Sequence, residues 1–192
     1  MLGWNTLMSN WTTEHGNWAR KPWKVGEKRT SKAILALCSS GYHFCDSLVD
    51  VIKQGYGNVV CRSEAPDESI RGYDKYVGSW RKLLAGADCG DILNEFAIVA
   101  IRKNLKLKGI SDEVIDGIVA SGSLNWEKLE KDLRGVGVYS GRVHELIFYA
   151  RYQDGIYAAR AALSLVDLDW AEKWLEERIN ARLALPALGL AH

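Results

Sequence analysis

The chain has 192 residues, 47% of them hydrophobic, which is enough apolar side chain for a folded core and excludes a disordered, low-complexity tail. Lys and Arg number 25 against 24 Asp and Glu, and the formal net charge of +1 argues against a nucleic-acid binder held by bulk charge. No apolar run approaches the roughly 20 residues of a membrane span, and no signal-peptide core precedes the first polar residues, so the expected compartment is the reducing cytoplasm.

In chain order, residues 2–8 mix apolar, aromatic and β-branched side chains and predict a strand, followed by a polar loop over 9–16. Trp11, Trp18 and Trp23 stand among turn residues such as Gly16-Asn17 and Lys21-Pro22, where a helix would be interrupted. They read either as plugs of a core or as an exposed aromatic wall, since large rings dominate both kinds of packing. Arg20, Lys21, Lys24, Lys28, Arg29 and Lys32 crowd the same stretch, with Glu27 as the one acid among them. Rings interleaved with bases also suit single-stranded nucleic acid, a use the near-zero net charge disfavours.

Ala33 to Leu37 is a short apolar run, strand or single helical turn. After the Gly41 turn, Tyr42-His43-Phe44 reads as a short strand, and Asp46 is placed to cap a helix whose Leu48, Val49 and Ile52 face inward, closed by Gly55 and Gly57. Residues 58–62 read as a buried strand, Pro66-Asp67-Glu68 as a turn, and 75–84 as one last strand with Tyr76, Gly78, Trp80 and Lys82 on a common face.

From Asp88 the apolar period becomes helical. Asp91 opens a helix to about Leu105 with Ile92, Leu93, Phe96, Ala97, Ala100 and Ile101 in one stripe. Helices also start at Ser111, Ser123, Ser140 and Asp167, the last carrying Trp170, Trp174, Leu175 and Ile179 and stopping before Pro186. The expected fold is therefore α+β: a mostly antiparallel β-rich domain with one short helix over 1–87, then an all-α half over 88–192 docked on it.

Cys38, Cys45, Cys61 and Cys89 form no C-x-x-C pair, and the spacing of Cys38, His43, Cys45 and Cys61 matches no common zinc knuckle, so no metal is expected. Buried free thiols acting as small hydrophobes are the expected role.

The order of Trp4, Thr12-Thr13, Gly16, Trp18, Trp23-Lys24-Val25-Gly26, Cys38, Gly41-x-His43, Leu48, Val51, the strand to Glu64, and Asp74-Lys75 resembles an uncharacterised domain family of phage, prophage and actinobacterial proteins. The resemblance covers residues 2–105 and implies phage or mobile-element provenance without an established activity; the expected role is an accessory protein that binds a protein partner through the basic, Trp-rich N-terminal surface or the helical half, as part of an assembly or in host interaction. Trp11, Trp18, Trp23, Arg20 and Lys24 are the expected contact residues.

A second resemblance carries chemistry. Gly41-Tyr42-His43-Phe44, followed by a short helix, a Tyr-Gly step and a Val-rich strand, is similar to the middle of ADP-ribosyltransferases. It implies NAD as cofactor, with Tyr42 in the ring clamp, His43 bonding the cofactor and Asn5 on the first strand in the place of the ribose-holding residue. Glu64 would then be the carboxylate that stabilises the oxocarbenium-like centre as nicotinamide leaves, an electrostatic role.

Overall fold

The structure, a computed structural model, describes residues 1–13, 21–37, 39–122, 131, 134–135 and 155–184. The fold is α+β, with an N-terminal β-rich region containing one short helix and a helical region after it. Two compact units emerge: Met1–Cys89 together with the stretch from Glu172 onward, and Gly90–Ala171.

The first unit holds β1 (Leu2–Leu7), β2 (Lys28–Thr30), β3 (Tyr42–Phe44), helix α1 (Leu48–Gln54), β4 (Val59–Glu64), β5 (Ile70–Arg71), β6 (Tyr76–Gly78) and β7 (Trp80–Asp88). One sheet has the order β1-β4-β7-β2 and the other β3-β6-β5, and all of their pairings are antiparallel. The sheets are stitched together twice. Trp4 and Cys45 exchange both backbone hydrogen bonds, at 2.7 and 2.8 Å, and β6 runs into β7 through Ser79.

That passage through Ser79 corrects the expectation of one uninterrupted strand over 75–84. Tyr76 and Gly78 are buried, but beyond Ser79 it is Arg81 and Leu83 that are buried, while Trp80 and Lys82 are half-exposed. A strand that leaves one sheet for another must bend; β6 is covered on both faces, Val77 being buried as well, whereas β7 turns Arg81 and Leu83 inward. The register places Asn5 opposite Cys61, Ser63 opposite Leu83 and Arg29 opposite Arg81 on one face, while Trp4 and Val60 are buried on the other. Leu7, Trp23, Tyr42, Val59, Cys61 and Leu83 form one apolar cluster, so strands of both sheets share a core. Phe44 lies over Gly3 and stacks on Tyr76 at 5.5 Å.

The cap of α1 falls one residue later than the sequence suggests. Ser47 Oγ accepts from the Asp50 amide at 3.0 Å, and Asp46 instead accepts a hydrogen bond from the Tyr76 hydroxyl. Two further amides at this helix start, those of Leu48 and Val49, donate to the two carboxylate oxygens of Glu172 at 2.7 and 2.6 Å. Without that carboxylate both donors lose their partner in a half-buried setting. Glu172→Ala should therefore lower stability by about 1–2 kcal/mol, the scale of a lost helix cap, read as a shift of the urea midpoint with an unchanged slope.

The second unit contains α2 (Gly90–Leu107), α3 (Asp112–Gly122) and α4 (Gly155–Leu163), and α5 (Leu168–Arg182) begins in it. The apolar stripe predicted for α2 is buried as expected, from Ile92 and Leu93 to Leu105. Lys106 pairs with Asp112 at 2.7 Å and Arg102 with Asp116, tying α2 to α3. Trp170 stacks on Phe96 at 6.0 Å under the ammonium of Lys103. The predicted start of α5 is where the sequence puts it, with the Trp170 amide donating to Asp167 Oδ1 at 2.9 Å. The helices expected to open at Ser123 and Ser140 fall largely outside the described residues. Among those described, no helix is long and apolar enough to cross a membrane.

Candidate functional site

The inner face of the first unit carries a charge that the apolar cluster does not explain. Arg81 is only 3% exposed, and one of its nitrogens, Nη1, donates to the His43 carbonyl oxygen at 3.2 Å. Its Nε and Nη2 are buried with no hydrogen-bond partner among the described residues. The guanidinium instead lies against two rings, 4.5 Å from the Trp23 centroid and 5.4 Å from that of Tyr42. Those rings meet edge to face at 5.7 Å, and each has its own buried polar atom without a partner, Trp23 Nε1 and Tyr42 Oη. Burial pulls the Arg81 pKa down to about 10 and pushes that of the Tyr42 phenol up.

Arg29, on the neighbouring strand, has the opposite circumstances. It lies over Trp23 at 4.1 Å, but Glu27 holds it bidentately, Nε to Oε1 and Nη2 to Oε2, both at 2.8 Å. Its Nη1 and Nη2 also donate to the Lys21 and Pro22 carbonyls, pinning the turn that delivers Trp23. The indole thus touches two guanidinium groups, one neutralised by Glu27 and one without a carboxylate among the described residues.

The Arg29 hydrogen bond is the main reason that the Glu27 carboxyl titrates at about 2 in place of 4.5, with burial opposing and the Lys24 amide assisting. A carboxyl whose pKa is depressed by folding contributes stability above its unfolded value, and that contribution is lost as pH falls from 4.5 through 2. Melting temperatures of the native protein and Glu27→Gln should therefore differ at neutral pH and converge toward pH 2.

The residues singled out in the sequence are brought together only in part. Tyr42 and Phe44 point into the core, whereas His43, between them on β3, faces the other side, as alternation along a strand demands. Tyr42, expected in the ring clamp, and His43, expected to bond the same cofactor, thus lie on opposite faces of β3. The Tyr42 ring is also 6% exposed and already occupied by Trp23 and Arg81. His43 is half-buried, and burial first, then Lys75 and Arg81, holds its imidazole below the ordinary histidine range. Glu64 ends β4 half-exposed, opposite Leu2 and Lys82. Asn5 is buried, with Oδ1 accepting from Ser63 Oγ at 2.6 Å and Nδ2 unpartnered.

Of the expected contact residues, Trp23 is 2% exposed and belongs to the core, a correction with a simple cause: it packs in the cluster of Leu7, Tyr42, Val59, Cys61 and Leu83 and against two guanidinium groups. Trp11 is half-buried against the same cluster, at a backbone φ of 63°. Lys24 is exposed, and Trp18 and Arg20 lie outside the described residues. Cys45, Cys61 and Cys89 are buried free thiols, and burial pushes Cys45 and Cys61 up to about 12, which leaves them inert. Cys38 lies outside the described residues.

Two large apolar side chains are the most exposed among the described residues. Ile34 is 92% exposed on the loop before β3, and Tyr73 is fully exposed at the tip of the β5–β6 turn. The two loops touch, with the Leu37 side chain lying over Gly72. A Tyr between two hairpin residues carries no local sign of exposure, whereas Ile34 beside Lys32 and Ala33 does hint at it. No family model, curated protein or solved structure matches this chain.

Proposed function

We propose that the chain is an accessory protein of phage or mobile-element origin that acts by binding a protein partner, through the surface made by residues 31–37 and the β5–β6 turn. The observation that carries this reading is the pair Ile34 and Tyr73, two apolar side chains held in water on touching loops. Exposed aromatic and branched side chains of this kind are what interface anchors are made of. The phage origin rests on the residue pattern from Trp4 to Lys75 described above.

A photo-cross-linking phenylalanine analogue placed at position 73 should capture a defined protein from the native host that the same analogue at position 113 does not. With that protein purified, Ile34→Ser combined with Tyr73→Ser should weaken binding at least about tenfold, the scale of one lost anchor, at unchanged melting temperature. Equal affinity in the double variant would overturn the reading. The alternative, an NAD-dependent ADP-ribosyltransferase, predicts that labelled NAD modifies a protein or nucleic acid and that His43→Ala or Glu64→Gln abolishes the labelling.

A further inference from the structure

The cluster around Arg81 has a composition that structural packing does not require. Three side chains in mutual contact contribute four unpartnered buried atoms: Arg81 Nε and Nη2, Trp23 Nε1 and Tyr42 Oη. Three of these are obligate N–H donors, and the fourth, a hydroxyl, donates as readily as it accepts. Among the described residues, the groups acting on the charge of Arg81 are Cys61, Tyr42 and Arg29, with no carboxylate among them. Glu27, the acid that comes nearest in function, is spent on Arg29. A planar guanidinium with two free N–H groups matches two oxygens of a phosphate or carboxylate, and a desolvated site strengthens each such bond.

We propose that the Arg81–Trp23–Tyr42 centre binds a phosphate-type oxyanion, free or as a phosphomonoester. Arg81 Nε and Nη2 take two of its oxygens, and the indole N–H and the phenol donate to the others. Because all four atoms are sealed from solvent, the anion enters when the turn carrying Trp23 swings outward. That turn is fastened by the hydrogen bonds from Arg29 to the Lys21 and Pro22 carbonyls and from the Trp23 amide to the Trp11 carbonyl. This site goes beyond the partner surface at Ile34 and Tyr73 and does not depend on it.

The test is thermal melting of the full chain in inorganic phosphate against chloride at matched ionic strength, with Arg81→Met and Tyr42→Phe alongside. The native protein should gain roughly 3–6 °C for each tenfold of phosphate above its dissociation constant. Tyr42→Phe should need about tenfold more phosphate, one charged hydrogen bond being lost, and Arg81→Met should not respond. O-phosphoserine in place of inorganic phosphate separates the two sources: a response to both admits the phosphomonoester, a response to inorganic phosphate alone restricts the site to the free ion. Should Arg81→Met fail to fold, the side-chain N–H resonances of Arg81 and Trp23 in the labelled native protein decide, because bound phosphate must shift both. No phosphate-specific gain in the native protein, or a gain that Arg81→Met retains, overturns the proposal.

Discussion

Gly57→Ala is expected to lower stability by more than about 3 kcal/mol, beyond the usual cost of an overpacked core. Gly57 follows α1 and leads into β4, and a methyl group there would land on the carbonyl oxygen and carbon of Leu7 and on the Cα of Met8. These are backbone atoms at the end of β1, where Leu7 pairs with Val59. A clashing side chain can change rotamer; a paired strand can only move as a whole, and moving it breaks the register with β4. Gly26→Ala is the control. Its φ of +84° strains an alanine, but nothing lies within 4 Å of the added carbon, so the cost should stay near the 1–2 kcal/mol of a left-handed residue. Urea unfolding of both variants measures the difference, and comparable losses would mean that the approach of Gly57 to β1 is looser than described.

Arg81→Met should move stability the other way, raising it by about 1–4 kcal/mol in the absence of added anion. A buried guanidinium loses several kcal/mol of hydration, and burial already shows in its depressed pKa. Against this stand one hydrogen bond to the His43 carbonyl and contacts with two rings, worth about 1 kcal/mol and about 1–2 kcal/mol each. Methionine has similar length, needs no hydrogen bonds and adapts to irregular space. A gain on losing the charge would mark Arg81 as a residue retained for something other than folding. A loss of several kcal/mol would show that the rings and the carbonyl already compensate the charge.

The parts of this fold that the sequence announces are those decided locally. The strand at Leu2–Leu7 and the stripe of α2 follow from side-chain period, and Asp167 caps α5 because its carboxylate needs only the amide three residues on. What stayed hidden depends on distant partners. Nothing near Arg81 distinguishes it from Lys82; which one turns inward is set by the pairing of β7 with its neighbours, which puts Arg81 opposite Arg29 and Lys82 opposite Lys28 and Glu64. The resemblance to ADP-ribosyltransferases assigns Tyr42 and His43 to one cofactor, yet neighbours along a strand point to opposite faces. Glu172 reads as one more solvated acid on an amphipathic helix, and its role is visible only once Leu48 and Val49 are seen across 124 and 123 residues of chain.

That last bond has a consequence for how the protein is made. On the ribosome, everything up to Cys89 is synthesised well before the segment that supplies the carboxylate, and at roughly 5–20 residues per second the interval lasts several seconds. During that time the nascent β-rich portion has no Glu172 carboxylate for the Leu48 and Val49 amides and lacks the buried Trp174, Leu175 and Ile179. It must wait in an incomplete state, exposed to proteases and chaperones, until the late-emerging helix closes it.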